Sequence, residues 1–251
     1  MEKSSNQSIA KNFSRLLESI ELAAESSGVN SKQITLVVVT KKQPLEHINT
    51  LYNLGQRHFG ENRVEEALPK IEALPKIEAS STNLTDPPPT WHMIGTIQSR
   101  KARTVLEQFD VIHSVTSLKL AKRLSKYASE SSITVPVLIQ CNTSGEHSKS
   151  GLDASAPDTS NKNLIETISQ ITDLPGLHIT GLMTMAPYTT NPELSRQTFR
   201  NLRILRDTLS STFQNITFKE LSMGMSGDFG VAIQEGATII RIGTYIFNNK
   251  I

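Results

Sequence analysis

Cysteine is all but missing from this chain: Cys141 is the only one in 251 residues. An intrachain disulfide is excluded, and the composition fits a reducing, cytoplasmic setting. Cys141 lies in the apolar run VPVLIQCN and reads as a buried, inert thiol. No apolar stretch is long enough to span a bilayer. The N-terminal segment has no hydrophobic signal core, and it carries glutamates that transit peptides usually avoid. Charge of one sign is also lacking. The 26 basic and 24 acidic residues leave a formal net charge of +2. That is not the electrostatic footprint of a nucleic-acid or anionic-membrane binder. Finally, no GxGxxG follows any strand-like run, which weakens the case for an open dinucleotide-type sheet.

What is present is alternation. ITLVVVT (34–40) is followed by PLEHINTLYNLG, opened by Pro44 and closed by Gly55. RHFG (57–60) precedes ENRVEEAL, TWHMIG (90–95) precedes SRKARTVLEQF, and DVIHSV (110–115) precedes SLKLAKRLSKYAS. TVPVLIQCN (134–142) leads through a polar loop to NLIETISQIT. GLHITGLMTMA (176–186) precedes PELSRQTFRNLRILRDTLSSTF, TFKELSMG (217–224) precedes GDFGVAIQEG, and TIIRIGT (238–244) ends the series. Strands that are apolar on both faces belong in a parallel sheet covered on both sides. Eight of them predict an α/β fold, a single (β/α)8 TIM barrel over 34–247 within one domain, 1–251. A doubly wound sheet is the competing architecture.

Residues 1–30 supply an extra N-terminal helix, read over 6–27. Ile9, Phe13, Leu16, Leu17, Ile20 and Leu22 form most of its apolar stripe, and Gly28 is its stop. Two segments are irregular. The hexapeptide EALPKI occurs in tandem at 66–71 and 72–77, where Pro69 and Pro75 are expected to break any long helix. It reads as a duplication absorbed at the surface, with a loop, ASSTNLTDPPPT, after it. The second irregular stretch, SGEHSKSGLDASAPDTSNKN (144–163), is a long loop after the fifth strand, at the C-terminal mouth of a barrel.

Chemistry is signalled at both ends of the chain. Lys41 and Lys42 end the first strand. A lysine partly removed from water has a lowered pKa, and its free amine can condense with an aldehyde. Lowering it from ~10.4 to ~7.5 corresponds to roughly 4 kcal/mol. Alternation sends the two lysines to opposite sides, but both faces of this strand are apolar, so periodicity does not choose between them. SMGMSGDFG (222–230) follows the seventh strand and RIGT (241–244) closes the eighth. Those loops of a barrel often bind phosphate. Gly224, Gly227 and Gly243 let backbone approach an anion, and Ser226 is expected to cap a helix and offer its hydroxyl. A lysine opposite a phosphate cup implies a phosphorylated aldehyde, for which pyridoxal 5′-phosphate (PLP) is the biological candidate. Arg241 would then face the pyridine nitrogen, discouraging its protonation.

With these residues in view, the chain resembles the YggS/PROSC family of pyridoxal phosphate homeostasis proteins. The resemblance runs from about residue 34 to 247, through VVVTKKQP, FGENRVEE, WHMIGTIQSRK, QCNTSGEHSKSG, GLMTMAP, LSMGMSGDF and RIGTYIF in order. It implies a barrel like the N-terminal domain of alanine racemase, PLP fold type III. It implies PLP held as a lysine Schiff base without established turnover, in a monomer with transient contacts to apo-enzymes. It selects Lys41, three residues before Pro44. It adds Asn62 and Met225 as pocket wall, and Ser226, Gly243 and Thr244 as phosphate ligands. It brings Asn142 and Lys149 toward the pocket, whereas His92 and the methionines of MTM (183–185) read as barrel packing. The chain departs from the family at IFNNKI, where Asn248 replaces a glycine. An amino-acid racemase is the alternative function. It is disfavoured because only six residues follow Tyr245, too few for the second domain that racemases of this fold use. A phosphosugar isomerase barrel would explain the phosphate cup but not the lysine of TKKQP.

Overall fold

Strands with no polar face must be covered on both sides, and a closed sheet ringed by helices does this without leaving edges. In the computed structural model, which describes residues 2–78, 87–146, 149–158 and 160–248, all eight expected strands are present. They are β1 (Thr35–Val39), β2 (His58–Glu61), β3 (Thr90–Met93), β4 (Val111–Val115), β5 (Val135–Asn142), β7 (Leu177–Met183), β8 (Glu220–Ser222) and β9 (Ile239–Ile242). A further short strand, β6 (Leu152–Asp153), lies inside the loop expected after the fifth strand and pairs with the end of β5. Barrel order is β4-β3-β2-β1-β9-β8-β7-β5, and pairing of β4 with β5 closes it. Every pairing is parallel.

The helices are α1 (Glu2–Ser26), α2 (Leu45–Asn53), α3 (Val64–Glu78), α4 (Ala102–Gln108), α5 (Leu118–Glu130), α6 (Lys162–Thr172), α7 (Arg196–Thr212), α8 (Phe229–Gln234) and α9 (Thr244–Phe247). The N-terminal helix packs against α2, α8 and α9, covering the seam between β1 and β9. Asn12 Nδ2 donates to the carbonyl of Ile246 at 3.1 Å. Its buried stripe is Ile9, Phe13, Leu16, Ile20 and Ala24. Leu17 and Leu22, expected in that stripe, are 44% and 66% exposed. Steps of three and four residues keep a side chain on one face, and both leucines fall off that sequence.

The expected break at Pro69 and Pro75 does not occur, since α3 runs through both positions. Pro69 is on the exposed side, while Val64, Ala67, Lys70 and Leu74 are buried against the barrel. An interior proline costs roughly 3 kcal/mol in a helix. Full burial of one aliphatic side chain contributes about 1.5–3 kcal/mol, so the inner face outweighs the lost hydrogen bond. The loop expected at 79–90 lies largely outside the described residues.

Strand alternation separates two apolar layers. Leu36 and Val38 point out into the layer under the helices, and Val37 points in, packing with Leu138, Met183 and Ile239. β1 ends at Val39, which lines the mouth of the barrel, and Thr40 is buried behind it; Lys41 and Lys42 follow in a turn, both exposed.

Candidate functional site at the barrel mouth

Beyond Val39 the chain turns sharply. Lys42 has φ 60, in the left-handed region that a side chain with a Cβ rarely adopts. Its backbone N–H donates to Glu66 Oε2 of α3 at 3.3 Å. Thr40 is held from outside the barrel. Its hydroxyl donates to Glu61 Oε1 at 2.6 Å and its carbonyl accepts from Lys70 Nζ at 2.8 Å. Lys70 also pairs with Glu61 Oε1 at 2.6 Å, both being buried. The turn that presents Lys41 and Lys42 is therefore pinned on both sides.

Opposite it, β8 runs into a turn that only glycine fits. Gly224 has φ 94, and a Cβ there would stand 2.6 Å from Ala232 Cβ. Asp228 Oδ1 accepts from the N–H of Met225 at 2.7 Å and Oδ2 from the hydroxyl of Ser195 at 3.1 Å. Ser226 is not the helix cap expected of it; Asp228 occupies that position at the start of α8. The Ser226 hydroxyl instead accepts from the N–H of Tyr245 at 3.2 Å, joining the turn after β8 to the turn after β9. A Cβ on Gly243 would lie 2.8 Å from the Val39 carbonyl, so this close approach of β9 to β1 also requires glycine.

Between these turns lies a cavity of about 260 Å³, lined by Val39, Lys41, Lys42, Gln43, Met225, Ser226, Arg241, Gly243, Thr244, Phe247 and Asn248. That is just under the range of about 300–1,000 Å³ usual for small-molecule sites, so the cavity suits only a compact ligand. Lys41, Met225, Ser226, Arg241, Gly243 and Thr244 thus come together as the sequence suggested. Asn62 does not join them. It lines a separate, larger cavity of about 540 Å³ with Arg63, Gly95 and Lys101. Asn142 donates to the carbonyl of Glu146 at 2.8 Å, and Lys149 to that of Met185 at 3.2 Å, so the two tie down the loop after β5 and line neither cavity.

Arg241 closes the inner end. It is 4% exposed, with Nη1 donating to Ser222 Oγ at 2.6 Å and Nη2 to the Thr184 carbonyl at 3.0 Å. Burial pushes its pKa down to about 10, with Asp228 opposing, so it stays charged at neutral pH. Both of its hydrogen-bond acceptors are neutral, and the opposing charge is that of Asp228.

Behind Ser222 stand residues that no sequence motif pointed to as a group. His113 Nδ1 lies 2.9 Å from Ser222 Oγ, His92 Nδ1 lies 2.8 Å from His113 Nε2, and His58 Nδ1 lies 3.0 Å from His92 Nε2. His92 is packed in the core, as expected. Burial, then the neighbouring His58, pushes its pKa down to about 3. Burial likewise holds His113 well below the ordinary range, with His92 and Arg241 adding to the effect. The only usable signal was one histidine at an inward position on each of three successive strands. Cys141 is buried, and burial pushes its thiol up to about 12, the inert state expected of it. Among the described residues no cluster of His, Cys, Asp or Glu could hold a metal ion, and no helix is long and apolar enough to cross a membrane.

The residues fit a small planar phosphorylated aldehyde. Lysines stand at the rim, a hydroxyl and a side-chain-free backbone at the closing turns, and a buried guanidinium at the far end. Comparison with known proteins points the same way. Residues 14–250 match the family model of the alanine racemase N-terminal domain. The chain is similar to a pyridoxal phosphate homeostasis protein of Aquifex aeolicus, 40% identical over 238 residues, covering 95% of this chain and 96% of that one. Among solved structures it resembles an unknown protein from Bifidobacterium adolescentis, with TM-score 0.87, 34% identity and coverage of 98% and 97%. It also resembles PipY of Synechococcus elongatus with PLP bound, with TM-score 0.74, 35% identity and coverage of 92% and 99%.

Proposed function

The chain belongs to the pyridoxal phosphate homeostasis family, built on the alanine racemase N-terminal domain, and from that premise we propose that it binds PLP at the mouth of its barrel and acts in PLP homeostasis. The observation that carries this reading is the convergence of Lys41, Ser226, Gly243 and Arg241 on one cavity from the ends of β1, β8 and β9. When bound, the cofactor supplies an aldehyde that condenses with a lysine amine, with loss of water, to a Schiff base.

Lys41 is the lysine that holds it, because it lines the cavity three residues before Pro44, the place the family resemblance gives to the anchoring lysine. Ser226, Gly243 and Thr244 hold the phosphate, Met225 flanks the ring, and Arg241 meets the ring nitrogen. A guanidinium only donates, so it disfavours a proton on that nitrogen. Residues 34–247 act as one PLP-binding domain, with 1–30 as its accessory helix.

The protein works as a carrier rather than an enzyme. Racemisation needs an acid and a base on opposite faces of the bound substrate. Among the described residues lining the cavity, only Lys41 and Lys42 are suited to proton transfer, and they are adjacent on one rim. The protein acts as a monomer, and the exposed rim of the cavity at Lys41 and Lys42 gives apo-enzymes access for transient transfer. The single buried cysteine supports a cytoplasmic setting.

Borohydride reduction of the PLP-loaded protein, followed by peptide mapping, tests the reading. A reduced adduct on Lys41 is expected. An adduct on Lys42, or none at all, overturns the assignment.

A further inference from the structure

The interior of a barrel is normally filled by layers of branched apolar side chains. Here part of it is given to imidazoles. His58 begins β2, His92 lies within β3 and His113 within β4, so the chain of contacts starts at the N-terminal floor and ends at Ser222 beside Arg241. His92, His113 and Ser222 are 3%, 0% and 0% exposed, whereas His58 is only partly buried. The site described above uses none of the three histidines.

Hydrogen-bond inventory determines how such a chain is polarised. A guanidinium only donates, so Ser222 Oγ accepts from Arg241. The other partner of that hydroxyl is His113 Nδ1. Giving its own hydrogen to Nδ1 satisfies Ser222 and puts the proton of His113 on Nε2. His113 Nε2 then donates to His92 Nδ1, and His92 Nε2 to His58 Nδ1. With Arg241 as donor, this polarity leaves no hydrogen of the chain from Ser222 to His92 without an acceptor, and His58 ends the chain as an acceptor at Nδ1.

We propose that His58, His92, His113 and Ser222 form one polarised relay through the barrel, in which His113 and Ser222 position Arg241 for the cofactor and protonation of His58 at the floor reverses the whole chain. This rests on the reading that PLP lies against Arg241. An imidazolium carries hydrogen on both nitrogens, so His58 in that form can no longer accept from His92. His92 must then accept at Nε2 and carry its hydrogen on Nδ1, His113 must do the same, and His113 Nδ1 then donates to Ser222. Ser222 Oγ now accepts from His113 and Arg241 together, and its own hydrogen loses its acceptor. The gain is one proton, which stays on His58; each inner ring keeps one hydrogen and changes only the nitrogen that bears it. Arg241 is then held by an oxygen already engaged with a second donor.

The charged and titratable groups facing the relay are few. Burial lowers the pKa of His58, opposed by Asp110 just before β4. His92 faces His58 and His113, and His113 faces Arg241, on which Asp228 acts from the β8 side. By linkage, a ligand that needs the neutral polarity binds less tightly as pH falls through the titration of His58, by at most about tenfold per pH unit for one proton. His58→Gln places a non-titrating carbonyl acceptor beside His92 and should hold the neutral polarity at every pH.

The test has two arms. In the first, the cofactor-free protein is labelled with ¹⁵N-histidine and the tautomers are read by NMR between pH 8 and 5. His92 and His113 should both be Nε2–H at pH 8 and change to Nδ1–H with the same midpoint as His58 protonation. Either ring keeping its tautomer through that midpoint overturns the relay. In the second arm, PLP affinity is measured against pH for the native chain and for His58→Gln. Affinity of the native chain should fall relative to the variant in acid, with a midpoint below the ordinary histidine value of about 6.5 because burial lowers that of His58. Parallel curves overturn the coupling to Arg241. Absence of PLP binding by both proteins at every pH would instead sink the proposed function, and the NMR arm alone would then decide the relay.

Discussion

Lys70 Nζ meets Glu61 Oε1 at 2.6 Å in the buried layer behind Thr40, one residue before the lysine at the barrel mouth. The other carboxylate oxygen, Glu61 Oε2, is buried without a hydrogen-bond partner among the described residues. Removing one member of such a pair leaves an uncompensated buried charge. Lys70→Met should therefore destabilise the fold by about 3–5 kcal/mol in urea unfolding. Adding Glu61→Gln should recover part of the loss. A loss below about 1 kcal/mol for the single variant would show that the pair is not desolvated in solution.

Stability should fall in mild acid. His92 is held neutral down to about pH 3 and His113 is also held well below its ordinary value, while in the unfolded chain both protonate near 6.5. The unfolded state therefore binds more protons below that pH. The stabilisation is fully present above about 6.5 and is lost as pH falls, by about 1.4 kcal/mol per unit for each histidine. Urea midpoints between pH 7.5 and 5 measure this slope. His92→Gln should lower it by about one proton. A flat profile would mean that the two rings are not held neutral.

Phosphate recognition is tested by Ser226→Ala. Loss of one partner from a charged group should weaken PLP retention by roughly 1–3 kcal/mol and leave unphosphorylated pyridoxal nearly unaffected. Equal weakening of both ligands would place Ser226 away from the phosphate. Gly243→Ala should weaken retention as well and also lower stability, because its Cβ would press on the Val39 carbonyl at 2.8 Å. Unchanged stability would show that β1 and β9 can move apart freely.

Turnover separates carrier from racemase. The PLP-loaded protein should not racemise alanine or other amino acids at about 1 s⁻¹ or faster, a modest rate for an enzyme. Chiral chromatography after incubation reads the outcome, with Lys41→Ala as control. Robust racemisation that disappears in the control would restore the enzyme reading.

The barrel itself was written locally. Unalternating apolar runs such as LVVV mark strands buried on both faces, and their alternation with amphipathic segments leaves few topologies open. Gly224 and Gly243 were read as room for an anion; the left-handed turn at Gly224 and the approach of Gly243 to the Val39 carbonyl are packing reasons that the local sequence did not show. What depends on distant segments was not legible. Pro69 looked like a breaker until the buried inner face of α3 outweighed it, and Lys70 looked like part of a repeat until Glu61 received it. Asn62 read as pocket wall from its motif, but the loops around Gly95 and Lys101 claim it for another cavity. His58, His92 and His113 lie 34 and 21 residues apart and form no motif. Only closure of the barrel, which aims inward residues from neighbouring strands at one another, makes them a chain. Sequence determines the period and polarity of each element; which polar groups meet inside is decided by strand register and helix packing, and those exist only once the whole sheet has closed.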